Sequence, residues 1–216
     1  MEAKPVVPLS VAKEIADIYE ELEHTPKDPQ VRKAYTALQE ETHAQFEFAQ
    51  AHGYTFEPYY GEGQPYETGT QLLYDARINK KVVYYPSSRG FGPIDEPRNE
   101  DHPMLEEAQG IPYNDMFRAV HDLYGHTAGG HDIIAQGEFA AFRRHIKMFS
   151  EEAIPALFTE TVVQACWLEV GPKRTFQDDE YVYPQQKAAI LSEEDLKRFL
   201  KYFRSDCELH ESMPLS

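Results

Sequence analysis

The run Phe117-Arg118-Ala119-Val120-His121-Asp122-Leu123-Tyr124-Gly125-His126 decides how the rest of the chain is understood. It starts as an apolar helix and closes on two histidines five positions apart. On an unbroken α-helix, residues i and i+5 lie about 140° apart, whereas i and i+4 share a face. Both imidazoles therefore reach one point only if the helix ends or loosens between them. Gly125 stands where a left-handed residue would end it, and supplies that break. The expected product is a helical core with a metal held between His121 and His126.

A mononuclear iron site takes a third ligand, usually a carboxylate, and leaves the opposite face open for oxygen and substrate. The helical stretch 151–171 offers two. Glu160 lies mid-helix between Phe158 and Val162-Val163, where a carboxylate is costly unless paired or bound to metal. Gln164 and Trp167 follow on its face and suit a site lining. Glu169 lies about 180° round the helix from Glu160, so only one of the two faces the histidines. Burial favours Glu160. Glu138 and His145, two turns apart on one helical face with Arg143 nearby, fit partners that orient the imidazoles, or else ligands of a second metal. Asp122, beside His121, is expected to hold another group rather than the metal.

Outward from this core, segments near 113–125, 137–149 and 151–170 carry helical apolar spacing, broken at Gly125, Gly129-Gly130 and Gly171-Pro172. A capped start at Leu191-Ser192-Glu193-Glu194 opens a last helix to about residue 204, before a frayed tail at 206–216. Residues 1–53 read as an antiparallel helical hairpin. Ser10 caps its first helix, and Asp28-Pro29 opens the second. Between 54 and 112, glycine, proline and tyrosine are dense. The run Gln71–Tyr85 looks like two strands around a turn near Asn79, and 86–112 like an irregular loop that either covers the site or is mobile. Tyr59, Tyr60, Tyr66, Tyr84 and Tyr85 are candidates to wall an aromatic pocket, and Arg77, Arg89 and Arg98 to clamp a substrate carboxylate. The expected fold is one domain, mainly α with a small antiparallel β element (α+β).

Composition limits the partners. With 37 Asp+Glu against 21 Lys+Arg the formal charge is −16, which repels nucleic-acid phosphate and anionic lipid. No apolar run reaches the ~20 residues of a membrane span, and the start at Met1-Glu2-Ala3-Lys4-Pro5 lacks signal-peptide character. Two cysteines, Cys166 and Cys207, make no disulfide framework, so a reducing cytoplasm is expected. Cys166 reads as a packed thiol. His131 reads as an exposed loop histidine, and His24, His43, His52, His102 and His210 have no supporting context.

His121-Asp122-Leu123-Tyr124-Gly125-His126 resembles the iron-binding His-Glu-Leu-Leu-Gly-His motif of the pterin-dependent aromatic amino acid hydroxylases. Phe139-Ala140-Ala141-Phe142 and Leu168-Glu169-Val170-Gly171 resemble their following stretches, over roughly residues 112–192. That resemblance implies Glu169 as third ligand and hydroxylation of an aromatic or amino-acid-like substrate. It departs at Asp122, in a missing proline after the second histidine, and in an apparent insertion at 127–131. The chain resembles more closely a group of phage and bacterial proteins of no assigned activity. They carry Val-His-Asp-x-x-Gly-His, Gly-Glu, Ala-x-Arg-x-His and Thr-Glu-Thr, matched here by Val120–His126, Gly137-Glu138, Ala141 to His145 and Thr159-Glu160-Thr161. Within that pattern Glu160 is the recurring carboxylate.

The expectation is then a non-haem iron(II), oxygen-activating hydroxylase or oxygenase. His121, His126 and Glu160 bind Fe(II), Glu138 and His145 support catalysis, and a small-molecule substrate and O2 are the partners. The residues themselves do not select for a pterin. Two alternatives stand beside it: a zinc hydrolase on the same triad with Glu138 as base, and a non-enzymatic module whose histidines and Glu160 form a buried polar network.

Overall fold

The computed structural model describes residues 7–93, 97–127, 135–172 and 183–204. His131, Cys207, His210, the 127–131 insertion beyond Thr127 and the 206–216 tail lie outside them.

Among the described residues the protein is mainly α-helical, with two small strand pairs. Helix α1 (Leu9–Glu21) begins two residues earlier than the Ser10 cap would put it. Pro8 is the N-cap, and its carbonyl accepts from Val11 and Ala12 N–H. Helix α2 (Pro29–Ala51) begins as its sequence dictates: the Asp28 carboxylate accepts from the Gln30 and Val31 N–H groups, and Pro29 fills the first turn. The main partner of α1 is the late helix α7 (Gln164–Val170), and α2 packs on α4 (Tyr113–His121) and α6 (Ile154–Phe158), so each early helix is built into the later core.

The hairpin expected over 71–85 is corrected. Residues Gly69–Tyr74 form helix α3, continued by a π-helical turn over Asp75–Asn79. Thr68 caps it, Leu72 and Ala76 bury one helical stripe, and Asn79 Nδ2 donates to Asp75 Oδ1 across one turn at 2.7 Å. The chain does reverse near Asn79, through Lys80 at φ +48°. Strand β2 (Lys81–Tyr84) then pairs in parallel with β1 (Thr55–Pro58). Alternating Leu, Tyr and Ile over 72–78 satisfied both periods, and the buried i, i+4 pair decides for helix. The small antiparallel element is β3 (Glu107–Ala108) with β4 (Ile111–Pro112), closed by Gln109 and Gly110, both at positive φ as a tight two-residue hairpin turn requires.

The largest core cluster joins Ile15 and Tyr19 of α1, Leu38 of α2, Phe142 of α5 (Ala135–His145), Phe158 and Val162 of the α6–α7 region, and Phe199 of α8 (Glu193–Leu200). Phe203 packs edge-on against Phe139, Phe142 and Phe158, with centroids 5.3–5.6 Å apart. Ser192 caps α8, its hydroxyl accepting from Asp195 N–H. A second cluster of Leu72, Ala76, Val82 and Leu123 seats the 54–84 region on the turn that carries the histidines. Among the described residues, no helix is long and apolar enough to cross a membrane.

Candidate metal centre

The helix that starts as α4 loosens where the histidine spacing requires it. Asp122–His126 is a π-helical turn, closed by Thr127 N–H donating to the Asp122 carbonyl at 3.1 Å. In i→i+5 hydrogen bonding, residue i+5 comes round over residue i, so His121 and His126 face the same region. Their rings lie 5.2 Å apart and nearly perpendicular.

Gly125 acts differently from expectation. It does not adopt a left-handed conformation; it lets the π turn press against α5. A Cβ there would stand 3.0 Å from Ala141 Cβ and 3.3 Å from the Ala141 carbonyl oxygen. That close approach brings Glu138, one turn before Ala141, to the histidines.

Glu138 is the carboxylate that completes the cluster. Its Oε1 lies 3.0 Å from His126 Nε2 and its Oε2 lies 3.3 Å from His121 Nε2. Ligand atoms of His121, His126 and Glu138 all fall within 4.8 Å of one another, as a metal-binding group requires. Burial alone would raise the Glu138 carboxyl, but the two imidazoles, His126 foremost, outweigh it and hold it well below the usual carboxylate range. Asp122 is the reverse case: burial pushes it up to about 6 against the opposing pull of His126 and His121.

His145 stands behind His121, with the two Nδ1 atoms 3.0 Å apart. It is fully buried beside Phe149, Phe117 and Tyr124, and that burial keeps it well below the ordinary histidine range. This contact brings His145 to one of the imidazoles it was expected to orient. Arg143 turns away from the cluster, donating to the Tyr202 carbonyl over the Phe203 ring.

The placement of Glu160 is corrected. It lies in a second π-helical turn, Thr159–Val163, between α6 and α7, and belongs to another network. Tyr35 Oη donates to its Oε1 at 2.5 Å and Gln164 Nε2 to its Oε2 at 3.1 Å, while His102 Nε2 stands 3.6 Å away. Burial pushes Glu160 up to about 7, opposed by Tyr35, Gln164 and the charge of Arg118. The buried carboxylate is satisfied by hydrogen bonds, the other way such a group escapes its desolvation cost. Glu169 is exposed on α7, and Trp167 reaches α1 through Glu20 at 2.9 Å.

The expected pocket residues are occupied elsewhere. Tyr66 and Tyr84 are buried in core clusters, Tyr60 is exposed, Tyr59 donates to the Glu62 carbonyl, and Tyr85 sits under the Arg89 guanidinium. Arg89 also donates to the Gly61 carbonyl, Arg98 pairs with Glu100, and Arg77 is exposed. Arg118, not singled out by sequence, is a buried cation that feels the charges of Asp115, Asp122 and Glu160. It donates to the Tyr85 and Gly90 carbonyls at 2.6 and 3.0 Å, tying the 85–90 loop to α4. Cys166 is a packed thiol whose burial pushes it up to about 12.

No protein-family model, no curated protein and no solved structure matches this chain.

Proposed function

We propose that the chain is a metal-dependent enzyme of the non-haem iron(II), oxygen-activating kind, hydroxylating or oxygenating a small aromatic or amino-acid-like substrate. The observation that carries this reading is the convergence of His121 Nε2, His126 Nε2 and both Glu138 oxygens. Two imidazoles and one carboxylate are the donor set of mononuclear iron oxygenases, and three protein ligands leave positions for oxygen and substrate. The aromatic or amino-acid-like substrate rests on the hydroxylase resemblance of residues 121–126, within roughly 112–192.

Iron(II) held there supplies the electron transfer that lets dioxygen react with an organic molecule. His121 and His126 bind through Nε2, Glu138 lowers the net charge of the site, and His145 fixes the His121 ring plane. In a hydroxylation one oxygen atom enters the substrate and the other leaves as water, with two electrons from an external reductant. A reduced pterin is the candidate the resemblance implies. The zinc reading, which used Glu138 as a free base, loses that base, because both Glu138 oxygens face imidazole nitrogens.

The test is anaerobic loading with iron(II), followed by oxygen uptake with aromatic amino acids and a reduced pterin. Substrate-dependent uptake that vanishes in His121→Ala and His126→Ala is the expected result. Tight zinc retention with oxygen-independent hydrolysis would replace iron chemistry with the hydrolytic reading.

A further inference from the structure

Behind the cluster runs a buried chain of side chains that ends on α2. His145 Nε2 lies 2.7 Å from Gln45 Oε1, and Gln45 Nε2 donates to the Met148 carbonyl at 3.2 Å. A carbonyl oxygen only accepts, so the Gln45 atom facing Met148 must be the amide nitrogen. The atom facing His145 is then the amide oxygen, which also only accepts. His145 must therefore carry its proton on Nε2. In a neutral, fully buried imidazole this leaves Nδ1 as an acceptor, 3.0 Å from His121 Nδ1. The His121 proton is then fixed on Nδ1.

We infer that Gln45, acting through His145, sets the tautomer of His121 and so leaves the lone pair of His121 Nε2 free for a metal held between it and Glu138. Gln45 is a positioning residue 76 positions before His121 in the chain, reaching the site only because α2 packs on α4. The purpose of the relay rests on the metal reading above, but its proton arrangement does not. A neutral amide at its end, rather than a carboxylate, orients His121 without adding negative charge behind it. Outer partners of metal-bound histidines act in this way and are worth about 10–100-fold in metal affinity.

The experiment combines nitrogen-15 NMR of the histidine rings with zinc titration by competition against a chromophoric chelator. Metal-free wild type should show His145 as the Nε2–H tautomer, and zinc-loaded protein should show His121 bound through Nε2 with Nδ1–H kept. Gln45→Leu should give a mixture of His145 tautomers and bind zinc about 10–100-fold more weakly. His145→Asn, which keeps an oxygen near the former Nδ1, should bind zinc more tightly than His145→Phe, which has no acceptor. If Gln45→Leu does not fold, the wild-type tautomer and the His145 pair still decide. A proton on His145 Nδ1 in wild type overturns the inference, as does unchanged zinc affinity in folded Gln45→Leu. Wild type that binds no zinc overturns the metal reading alone, since the His145 tautomer is read in metal-free protein.

Discussion

Glu138, and not Glu160, is the carboxylate that stands against the histidine pair. Glu160 stands among Phe158, Val162 and Val163, so its burial was legible; what relieves that burial was not. The relief comes from Tyr35, 125 positions away, and such a long-range partner has no local signature. Glu138 was legible as a neighbour of the imidazoles through its two-turn relation to His145. Its closeness was written in Gly125 and Ala141, two small residues that permit near contact, a signal visible only once the two segments are known to touch. The Glu160 network makes a pH prediction. Its folded-state value of about 7 lies above the ordinary carboxylate value of 4.5, so the folded state binds the proton more tightly than the unfolded chain. Its contribution is fully present below pH 4.5 and is lost as pH rises through 7, so that stability falls across this window. Metal-free wild type should lose up to about 3 kcal/mol there relative to Glu160→Gln, in which no proton can leave. Chemical denaturation of both proteins at pH 4.5, 6 and 8 checks this; parallel profiles would contradict it.

At the scale of elements, the described residues hold three π-helical turns, Asp75–Asn79, Asp122–His126 and Thr159–Val163, the last two of them where the sequence promises helix. The first replaces an expected hairpin, the second carries the histidines, and the third carries Glu160. The need for loosening after His121 was legible from the five-residue spacing, because an α-helix separates those side chains. Its form was not, because no residue type uniquely signals i→i+5 bonding; threonine hydroxyls donating back to carbonyls, Thr127 to Leu123 and Thr161 to Leu157, accompany two of the turns. Gly125→Ala tests how the turn and α5 depend on each other. The added methyl meets Ala141 backbone and Cβ at 3.0–3.4 Å, so α5 must shift. The expected cost is about 1–3 kcal/mol in a denaturant titration, together with weaker metal binding because the ligands sit on both elements. Full stability with unchanged metal affinity would show that the close approach is not needed.

Across the whole molecule, the class, mainly helical with a small antiparallel pair, was legible from apolar spacing, but the pair stands at 107–112 and not in the 71–85 run where it was expected. The packing order was not legible: α1 lies on α7 and α2 on α4 and α6, partners more than 60 positions away that hydrophobic periodicity does not name. That order is what lets α2 supply Tyr35 to Glu160 and Gln45 to His145. A metal bound between α4's extension and α5 ties two separate helices, so it should stabilise the fold by linkage. At free metal about 100 times its dissociation constant the gain is about 2.7 kcal/mol, or roughly 5–10 °C in Tm for a chain of this size. Thermal melts of metal-stripped protein with and without added zinc should show this rise in wild type and its absence in His126→Ala.

The most direct measurement is the metal content of protein purified without oxygen, compared among wild type, Glu138→Ala and Glu160→Ala. The account predicts near-stoichiometric metal in wild type and in Glu160→Ala, and loss in Glu138→Ala. Metal retained in Glu138→Ala but lost in Glu160→Ala, with both variants folded, would contradict it and return the third ligand to Glu160.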